Sequence, residues 1–305
     1  MSLVSVIIPA YNKADYTCRA VDSVLRQTYP HLELIVVDDG STDNTQERLK
    51  TYGNRIQYIY KSNGGACSAR NAGIGRAKGE YIALLDCDDM YLPNKIELSV
   101  GHLQRHPDAG FVHTKAYLID REDQTVSVYE RPENRSQGWI AARLIFGNFI
   151  CNSTAVIRRS CLDRVGLFDE TIFTPADWDM WLRLAEQFQA VFIDIPLTQY
   201  RITDNYIFNK LELAEREEAV TIDKYFQRNP SQSRVLKNKV LSHWHLRFAL
   251  CYVVKENNPR VHEELKQALA FDPWNVKAWA VYILNTVARA SLKSALQRKI
   301  LRYSN

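Results

Sequence analysis

Strand and helix signals alternate through the first hundred residues, and this alternation constrains the fold more than any other feature of the chain. Four short apolar segments are separated by stretches with helical spacing; they read LVSVIIP, LELIVVDD, RIQYIY and YIALLD. These runs are continuous rather than alternating, which is typical of strands covered on both faces. Strands that alternate with helices predict βαβ units and a mostly parallel, Rossmann-like sheet flanked by helices.

Helical signals alone follow the α/β part of the chain. We expect an α/β domain over residues 1–205, with one half over about 1–108 and a second over about 109–205, and an α-helical C-terminal region over 206–305. The segment HEELKQALAFDPWNVKAW in that region resembles one tetratricopeptide-like helix-turn-helix unit. Such repeats need about three copies to be stable alone, so the region is expected to be only partly tetratricopeptide-like.

Composition and charge restrict the class of protein further. The chain has no apolar run of about 18 residues, which argues against a transmembrane helix. It begins without the features of a secretory signal, and its six cysteines form no CxxC pair, so we expect a cytoplasmic protein. The net charge is +4, but six Lys or Arg residues and no acid follow Pro273. The basic character therefore belongs to the tail.

Polar residues follow three of the predicted strands at the point where each strand ends. They are Ala10-Tyr11-Asn12, Asp38-Asp39-Gly40-Ser41 and Asp86-Cys87-Asp88-Asp89. In open sheets of this kind, ligands bind beyond the carboxyl ends of the strands. We therefore expect the three segments to lie side by side on one edge and to share one ligand. Because this edge is acidic, nucleic acid is not an expected partner.

Asp86, Asp88 and Asp89 place three carboxylates within four positions. Their mutual repulsion would raise their pKa values, and a divalent cation removes that repulsion by keeping them ionised. Mg²⁺ or Mn²⁺ suits the site because these ions take one or two carboxylates and complete their shell with substrate phosphates and water. The competing interpretation is a solvated acidic turn that caps the helix starting near Pro93.

Two interpretations of Asp39 stay open. A carboxylate accepts hydrogen bonds and so reads a base with a ring N–H, such as uracil, thymine or guanine. Alternatively, Asp39 belongs to an Asp-Gly turn in which Ser41 or Thr42 caps the following helix.

Four motifs occur in an order and at spacings that resemble family 2 glycosyltransferases. They are SVIIPAYN, VVDDGSTDNT, NGGACSARNAGIGRAKGEYIALLDCDD and ADWDMWLRL, and the resemblance covers roughly residues 3–202. It implies a GT-A fold and an inverting enzyme. The implied reaction moves a sugar from a nucleoside-diphosphate sugar, with UDP favoured, to the hydroxyl of a glycan or lipid-linked acceptor. Synthesis of a polysaccharide, glycolipid or cell-surface glycan would use such an activity.

The resemblance also assigns roles to individual residues. Six residues near the strand ends would bind the nucleotide: Pro9, Ala10, Tyr11, Asp39, Arg70 and Asp86. Asp88 would hold the Mn²⁺ or Mg²⁺ ion that bridges the diphosphate, and Asp89 would support that site. Asp177 would be the catalytic base, and Asn152 and Ser153 would touch sugar hydroxyls on the acceptor side.

Asp177 also has a structural interpretation. Thr174-Pro175-Ala176-Asp177 resembles a helix N-cap followed by Pro and an acid, and a helix N-terminus holds a carboxylate well in either role. Ala176 stands where the family usually has Glu, and Thr203 and Asp204 stand where it often has His. Ala176 favours an alternative function: a non-catalytic sugar-nucleotide-binding or scaffold protein that recruits partners through its helical region.

The acceptor half contains ring side chains that suggest chemistry. His113 lies on a predicted strand, where a single histidine is more often structural than catalytic. Trp139, Trp178 and Trp181 carry the kind of ring that stacks on sugars, although packing in the core is the more common use.

Residues 274–303 combine aromatic and aliphatic residues with Lys and Arg. This composition on an amphipathic helix suits the surface of an anionic membrane, which would place the protein on the inner face of the membrane as a peripheral protein. The alternative is that the apolar residues close the helical region and that the charges are solvated.

Overall fold

The computed structural model describes residues 2–129, 132–202, 210–287 and 291–296. This part of the chain forms two compact units. The first comprises the residues up to Leu144 together with Phe149–Ile202. The second comprises Ile145–Asn148 together with the described residues after Ile202.

The first unit is built on a mixed sheet whose first half is parallel. The strands of this half are β1 (Val4–Ala10), β2 (Leu32–Asp38), β3 (Gln57–Tyr60) and β4 (Tyr81–Leu84). They lie in the order β3-β2-β1-β4, and each pairs in parallel with its neighbour. Strands β1 and β4 are buried along their whole length, as their continuous apolar runs predict.

Four helices connect or follow these strands: α1 (Ala14–Leu25), α2 (Thr45–Lys50), α3 (Gly65–Arg76) and α4 (Lys95–Arg105). Helix α1 buries Ala20, Val21 and Val24, which recur at helical spacing on its inner face. A Cβ at Gly73 of α3 would lie 2.5 Å from a methyl carbon of Ile7. Glycine at this position therefore lets α3 lie directly on the parallel strands.

The second half of the sheet contains both kinds of pairing. Its strands are β5 (Met90–Tyr91), β6 (Ala109–Ile119), β7 (Thr125–Tyr129), β8 (Val156–Arg158) and β9 (Gln189–Arg201). Strand β8 joins the two halves and is antiparallel to both β4 and β6. Strand β9 runs parallel to β6 and antiparallel to β5. The expected α/β class is confirmed, and its parallel pairing is concentrated in the first half.

Three further helices cover this half: α5 (Ala141–Leu144), α6 (Arg159–Val165) and α7 (Ala176–Gln187). Helix α7 packs through its tryptophans. The rings of Trp181 and Phe111 are stacked with centroids 6.2 Å apart, and Trp178 Nε1 donates to the Leu144 carbonyl at 2.8 Å. Both tryptophans belong to the core: Trp181 packs α7 against β6, and Trp178 bonds its first turn to α5.

The described part of the second unit is helical. It contains α8 (Leu211–Arg228), α9 (Arg234–Val254), α10 (Asn258–Phe271) and α11 (Val276–Val287). Helices α10 and α11 form a helix-turn-helix over the segment that resembles a tetratricopeptide unit. Among the residues that the structure describes, no helix is both long and apolar enough to cross a membrane.

Candidate active site

Asn12 ties together the loops that follow β1 and β2. The sheet register places Ala10 opposite Asp38, so the two strands end at the same level. The Asn12 side-chain oxygen accepts hydrogen bonds from the backbone N–H of Thr42 at 2.7 Å and of Asp43 at 3.3 Å. Asn12 has a φ of +50°, a left-handed conformation that asparagine tolerates better than most residues. The two loops therefore meet at one edge of the sheet, as predicted.

Asp39 lies directly after β2 and is almost fully buried. Its carboxylate accepts hydrogen bonds from the backbone N–H groups of Gly64 at 3.0 Å and Gly65 at 2.7 Å, and from Lys61 Nζ at 2.6 Å. It therefore caps the N-terminus of α3, where the helix dipole favours negative charge. The turn interpretation applies instead to Asp38, whose Oδ1 accepts a backbone hydrogen bond within the turn at 2.8 Å.

Asp86 and Arg70 form an ion pair that is largely buried. Arg70 Nη2 donates to Asp86 Oδ1 at 2.6 Å, and Asn152 Nδ2 donates to the same oxygen at 2.9 Å. The guanidinium also lies over the Phe168 ring, with Cζ 5.5 Å from the ring centroid, which is a cation–π arrangement. Burial disfavours the charged form of Arg70, but the carboxylate of Asp86 outweighs it and raises the pKa. Arg70 therefore places a permanent positive charge at this edge.

Asp89 is the most deeply buried of the three neighbouring acids, with 1% of its surface exposed. Its carboxylate accepts hydrogen bonds from Ser153 Oγ at 2.5 Å and from the backbone N–H of Arg201 at 2.8 Å. Burial raises the pKa of Asp89 well above its usual range, and the nearby Asp88 and Asp86 raise it further. Arg201 Nε also donates to the carbonyl oxygen of Asp88 at 2.9 Å. These contacts fix the backbone of the acidic loop, residues 86–89.

Asp88 differs from its neighbours because its carboxylate is held by a single side chain among the described residues. Lys13 Nζ lies 2.6 Å from Asp88 Oδ2. No group of three or more Asp, Glu, His or Cys side chains converges on a metal position in the described part of the chain. The arrangement fits Mg²⁺ or Mn²⁺ held jointly with a ligand, since these ions use one or two carboxylates and fill their shell from phosphates and water.

The acidic loop does not cap the next helix. Helix α4 has Asn94 as its N-cap residue, whose side chain makes no capping hydrogen bond, and the first-turn N–H of Ile96 donates to Gln27 Oε1 at 3.0 Å. The interpretation of the three acids as a helix-capping turn is therefore wrong.

Asp177 lies in the first turn of α7. The helix begins at Ala176 with Pro175 as its N-cap residue, one position later than the capping pattern predicts, and the side chain of Pro175 makes no capping hydrogen bond. Asp177 Oδ1 accepts the backbone N–H of Trp178 at 2.7 Å. Its charge also acts on Arg70 and raises the pKa of that guanidinium. Asp177 therefore belongs to the same electrostatic environment as the strand-end residues.

The family of this chain follows from comparison with known sequences. The family model described as Glycosyl transferase family 2 matches residues 5–166, more than half of the chain. The chain belongs to glycosyltransferase family 2. An uncharacterized glycosyltransferase of Rickettsia typhi is 36% identical over 217 residues, which are 69% of this chain and 68% of that protein. The hyaluronan synthase of Pasteurella multocida is 32% identical over 231 residues, which are 74% of this chain but 23% of the synthase.

Solved structures show the same GT-A fold as this family 2 member. S. aureus TarS, residues 1-349, superposes with a TM-score of 0.64 at 20% identity over 99% of this chain and 89% of that one. The same fragment in complex with UDP-GlcNAc has a TM-score of 0.58 at 18% identity over 88% and 89%. The mannosyltransferase PcManGT from Pyrobaculum calidifontis, solved with GDP-Man and Mn²⁺, has a TM-score of 0.59 at 17% identity over 99% and 86%. The expected GT-A fold with C-terminal helices is confirmed.

Asn152 and Ser153 lie behind the acids of the family 2 site. Ser153 is fully buried, and besides its bond to Asp89 its hydroxyl accepts the backbone N–H of Asp86 at 3.0 Å. Asn152 is 5% exposed and donates to Asp86. The Ser153 hydroxyl and the Asn152 amide nitrogen hold the acidic loop, whereas Asn152 Oδ1 has no hydrogen-bond partner among the described residues. This burial argues against direct contact with an acceptor, and the expected role of the two residues toward acceptor hydroxyls stays a prediction.

The three residues expected beside the base of a nucleotide differ in exposure. Pro9 and Ala10 are the last residues of β1 and are buried. Tyr11 follows them with 47% of its surface exposed. Of the three, Tyr11 therefore has the surface that a ligand can reach.

Three cations at this edge were not predicted from the sequence. Lys13 pairs with Asp88, Lys61 pairs with Asp39, and Arg201 holds the acidic loop. Buried acids generally require partners of opposite charge, so the acids themselves indicated that cations lie nearby. They do not identify the partners, which lie 75, 22 and 112 residues away from the acids they contact.

The ring side chains of the acceptor half differ in burial, and the expectations for them are met to different degrees. His113 is buried, its Nε2 lies 3.0 Å from the Ser136 carbonyl oxygen, and burial lowers its pKa to about 4. A neutral, bonded imidazole agrees with the structural interpretation. Trp139 is 65% exposed and so does not pack in the core. Thr203 and Asp204, which replace the family's His, lie outside the described residues.

Proposed function

We propose that this chain is an inverting, metal-dependent glycosyltransferase that moves a sugar from a UDP-sugar to an acceptor hydroxyl. The observation that carries this proposal is the different environment of each acid at one edge of the sheet. Asp86 and Asp89 are held by buried partners, Asp88 has one partly exposed lysine as its partner, and Asp177 acts on the same arginine as Asp86. The acids therefore suit different tasks.

The proposed donor is a nucleoside-diphosphate sugar, with UDP preferred. The carboxylate of Asp39 would accept the ring N–H of uracil, beside Pro9, Ala10 and Tyr11. This interaction has to coexist with the N–H groups and the lysine that already donate to Asp39. A carboxylate has about four lone-pair sites, so one further donor can be accommodated. TarS, which has the same fold, has been solved with UDP-GlcNAc.

Asp88 would hold Mn²⁺ or Mg²⁺, with Asp89 and its partners supporting the loop. When bound there, the ion supplies Lewis-acid stabilisation to the departing diphosphate. The permanent charge of Arg70 would stabilise the same developing negative charge, and Asp86 would approach the ribose. The Mn²⁺ in the PcManGT structure supports an ion of this class.

Asp177 is the proposed catalytic base. Its carboxylate would accept the proton of the acceptor hydroxyl while the hydroxyl oxygen attacks the anomeric carbon. The new bond forms on the face opposite the diphosphate, and the bond from the anomeric carbon to the diphosphate oxygen breaks. A single displacement of this kind needs no covalent intermediate, and it inverts the anomeric configuration.

The proposed acceptor is a hydroxyl of a glycan or of a lipid-linked sugar. The relative in Pasteurella multocida is a hyaluronan synthase, but this chain covers only 23% of it. The proposal therefore concerns the class of product, a polysaccharide, glycolipid or cell-surface glycan, and not hyaluronan itself.

Release of nucleoside diphosphate distinguishes this enzyme from a non-catalytic binding or scaffold protein, which Ala176 favours. The wild type and Asp177→Asn would be compared with UDP-sugars, Mn²⁺ and candidate acceptors. We expect the substitution to lower kcat by about 10²–10⁴-fold, the usual contribution of a general base, and to leave thermal stabilisation by UDP-sugar unchanged. Equal turnover would make Asp177 a structural residue of α7. No turnover by the wild type with UDP, GDP or dTDP sugars would favour the scaffold.

We also propose that helix α11 contacts an anionic membrane from the cytoplasmic side. Four of its residues form an exposed apolar stripe: Val276 (77% exposed), Trp279 (47%), Ile283 (57%) and Val287 (81%). Their spacing of three or four residues places them on one face of the helix. The buried residues of α11, Ala278 and Asn285, lie on the opposite face. This exposure argues against the interpretation that these residues close the helical region.

The charge of the segment supports an anionic partner. Six Lys or Arg residues and no Asp or Glu follow Pro273, and each basic residue near an anionic surface contributes about 1 kcal/mol. Lys277 is exposed on α11. Arg289, Arg298, Lys299 and Arg302 lie outside the described residues.

Co-sedimentation with vesicles of neutral or anionic lipid tests this contact. We expect the wild type to bind anionic vesicles, Val287→Ser to bind them several-fold more weakly, and Val235→Ser to bind as the wild type does. Val235 is a matched control because it is 64% exposed but lies on α9. Equal binding by all three proteins, or no preference for anionic lipid, would contradict the proposal.

A further inference from the structure

Lys13 bonds to the carboxylate that we assign to the metal, and it is the most exposed of the four cations identified at this edge. Its side chain is 38% exposed, against 24% for Lys61, 11% for Arg70 and 0% for Arg201. Arg70 and Arg201 are enclosed by several fixed contacts. Within the described residues, the Lys13 ammonium contacts only Asp88. Lys13 is therefore the cation best able to change its partner.

We propose that Lys13 is a positioning residue that exchanges partners when the donor binds. In the free enzyme its ammonium bonds to Asp88, and when a divalent cation and the donor are bound it bonds to an oxygen of the donor diphosphate. This inference rests on the proposed metal site at Asp88.

The Lys13 ammonium and a divalent ion repel each other, so they cannot both stay close to the Asp88 carboxylate. A divalent ion on Asp88 repels an ammonium that lies 2.6 Å from the same carboxylate. The loop cannot move away easily, because Arg201 holds the Asp88 carbonyl and Asp89 carboxylate. Lys13 has a flexible four-carbon stem and a strongly hydrated ammonium. The lysine, and not the acidic loop, is therefore the part that moves.

The donor provides the new partner. A diphosphate adds negative charge beside the ion, and a lysine ammonium binds phosphate oxygens as a point charge. Lys13 follows the end of β1 and precedes α1, so its backbone belongs to the same edge as Asp39 and the acidic loop. The freed ammonium thus remains within the region that the diphosphate would occupy.

This exchange makes the metal and the nucleotide bind cooperatively. Without nucleotide, Lys13 competes with the ion for Asp88 and weakens metal binding. With nucleotide, the displaced lysine contributes to the complex. Because coupling between two ligands is reciprocal, the same residue should strengthen the effect of Mn²⁺ on UDP binding and the effect of UDP on Mn²⁺ binding.

Mn²⁺ binding by the full chain, followed by electron paramagnetic resonance of free Mn²⁺, tests the exchange. We expect Lys13→Met to lower the Kd for Mn²⁺ without UDP by about 2–5-fold, the upper part of the range for a partly exposed ion pair. We expect the same variant to raise the Kd for UDP at saturating Mn²⁺ by about 2–5-fold. Lys61→Met is the matched control: it removes the 2.6 Å ion pair with Asp39 and should leave the Kd for Mn²⁺ without UDP unchanged.

The two changes of opposite sign are what distinguish an exchange from a structural role. If both affinities weaken in Lys13→Met, or if the Kd for Mn²⁺ without UDP stays at the wild-type value, the inference is wrong. Tighter Mn²⁺ binding with unchanged UDP binding also overturns it, because the lysine then never reaches the diphosphate. Asp88→Asn separates this failure from that of the proposed function. If Asp88→Asn binds Mn²⁺ as the wild type does, the proposed metal site itself is wrong.

Discussion

The acidic sheet edge and helix α11 depart from the usual distribution of residues in opposite directions. At the edge, the carboxylates of Asp39, Asp86 and Asp89 are largely or fully enclosed, and each accepts hydrogen bonds from at least two donors. On α11, the four side chains of the apolar stripe are exposed. Buried polar groups and exposed apolar patches are the departures that carry functional information. We therefore associate the edge with a small charged ligand and α11 with an extended surface.

The two regions should also differ in tolerance to substitution. Buried charges destabilise a protein unless partners of good geometry surround them, so the edge depends on many contacts at once. The apolar stripe already faces solvent, so replacing one of its residues removes little burial from the folded chain. Measurements of activity and of unfolding can test this difference.

Substitution of Asp88 should have the largest effect. We expect Asp88→Asn to lower kcat/KM by about 10³-fold or more, because the diphosphate loses the ion that stabilises its developing charge. UDP release at saturating Mn²⁺ measures this. Asp15→Asn is the control, since its carboxylate is 74% exposed and pairs with Arg48 alone among the described residues, and it should have wild-type activity. If Asp88→Asn retains Mn²⁺-dependent stabilisation by UDP, Asp88 does not hold the ion.

Lys95 tests what happens when a buried charge has no partner. It is fully buried, its Nζ lies 4.8 Å from the Tyr91 ring centroid, and that nitrogen has no hydrogen-bond partner among the described residues. Burial lowers its pKa to about 7, and the nearby Cys151 opposes this shift without cancelling it. We expect Lys95→Met to raise the free energy of unfolding by roughly 2–4 kcal/mol at pH 6.

The gain from Lys95→Met should shrink as the pH rises. Below pH 7 the lysine is protonated in both the folded and the unfolded chain, so the folded chain bears the full free-energy cost of burying the charged ammonium. Between pH 7 and its ordinary pKa of 10.5 the unfolded chain binds a proton that the folded chain lacks, so wild-type stability rises with pH. Urea unfolding at pH 6, 8 and 10 measures this trend. A constant difference between variant and wild type would show that Lys95 does not titrate in this range.

Two buried serines, one bonded to an acid of the sheet edge and one without such a bond, test how much a contact at the edge contributes to stability. Ser153 donates to the Asp89 carboxylate, whereas the hydroxyl of Ser99 on α4 has no hydrogen-bond partner in the described chain. We expect Ser153→Ala to lower the free energy of unfolding by about 1.5–3 kcal/mol and Ser99→Ala to change it little or to raise it. Equal losses in urea unfolding would mean that the contact with Asp89 is not what makes Ser153 important.

The smallest effect should come from the apolar stripe. We expect Ile283→Ser to change the free energy of unfolding by no more than about 0.5 kcal/mol, because more than half of the side chain is already exposed. Leu265→Ala on α10 is the contrast, since Leu265 is fully buried and its truncation should cost about 2–5 kcal/mol. A loss of comparable size in Ile283→Ser would show that the stripe is a structural part of the helical unit.

The fold was predictable where local pattern and topology agree. Apolar runs alternating with helices predicted β1 to β4, and parallel strands that end on one edge predicted that Asp39 and the acidic loop lie together. Strand β9 is less obvious from the sequence, because two apolar segments, VFIDIP and LTQYR, together form one strand over Gln189–Arg201. Pro196 lies at the end of the first segment. Because it has no N–H, it cannot donate a hydrogen bond to a neighbouring strand, which makes one continuous strand hard to predict. Irregular pairing with β6 near Lys115 accommodates it.

The partners of the acids were not predictable in the same way. Arg70 was identified because it belongs to a family motif, whereas Lys13, Lys61 and Arg201 are ordinary basic residues within their local sequence. Their role depends on distances between elements that are far apart in the chain. The burial of Asn152 and Ser153 has the same origin, because β8 must be placed between β4 and β6 before the residues just ahead of it face the acidic loop.

Arg201 is the last residue of β9, yet it donates to Asp89, which precedes it by 112 residues. During synthesis on the ribosome, all the acids of the sheet edge emerge well before this arginine does. A partly made chain therefore carries the carboxylates of the proposed donor site without the contact that fixes the acidic loop. The proposed binding of a sugar nucleotide should therefore become possible only after the final strand has been translated and added to the sheet.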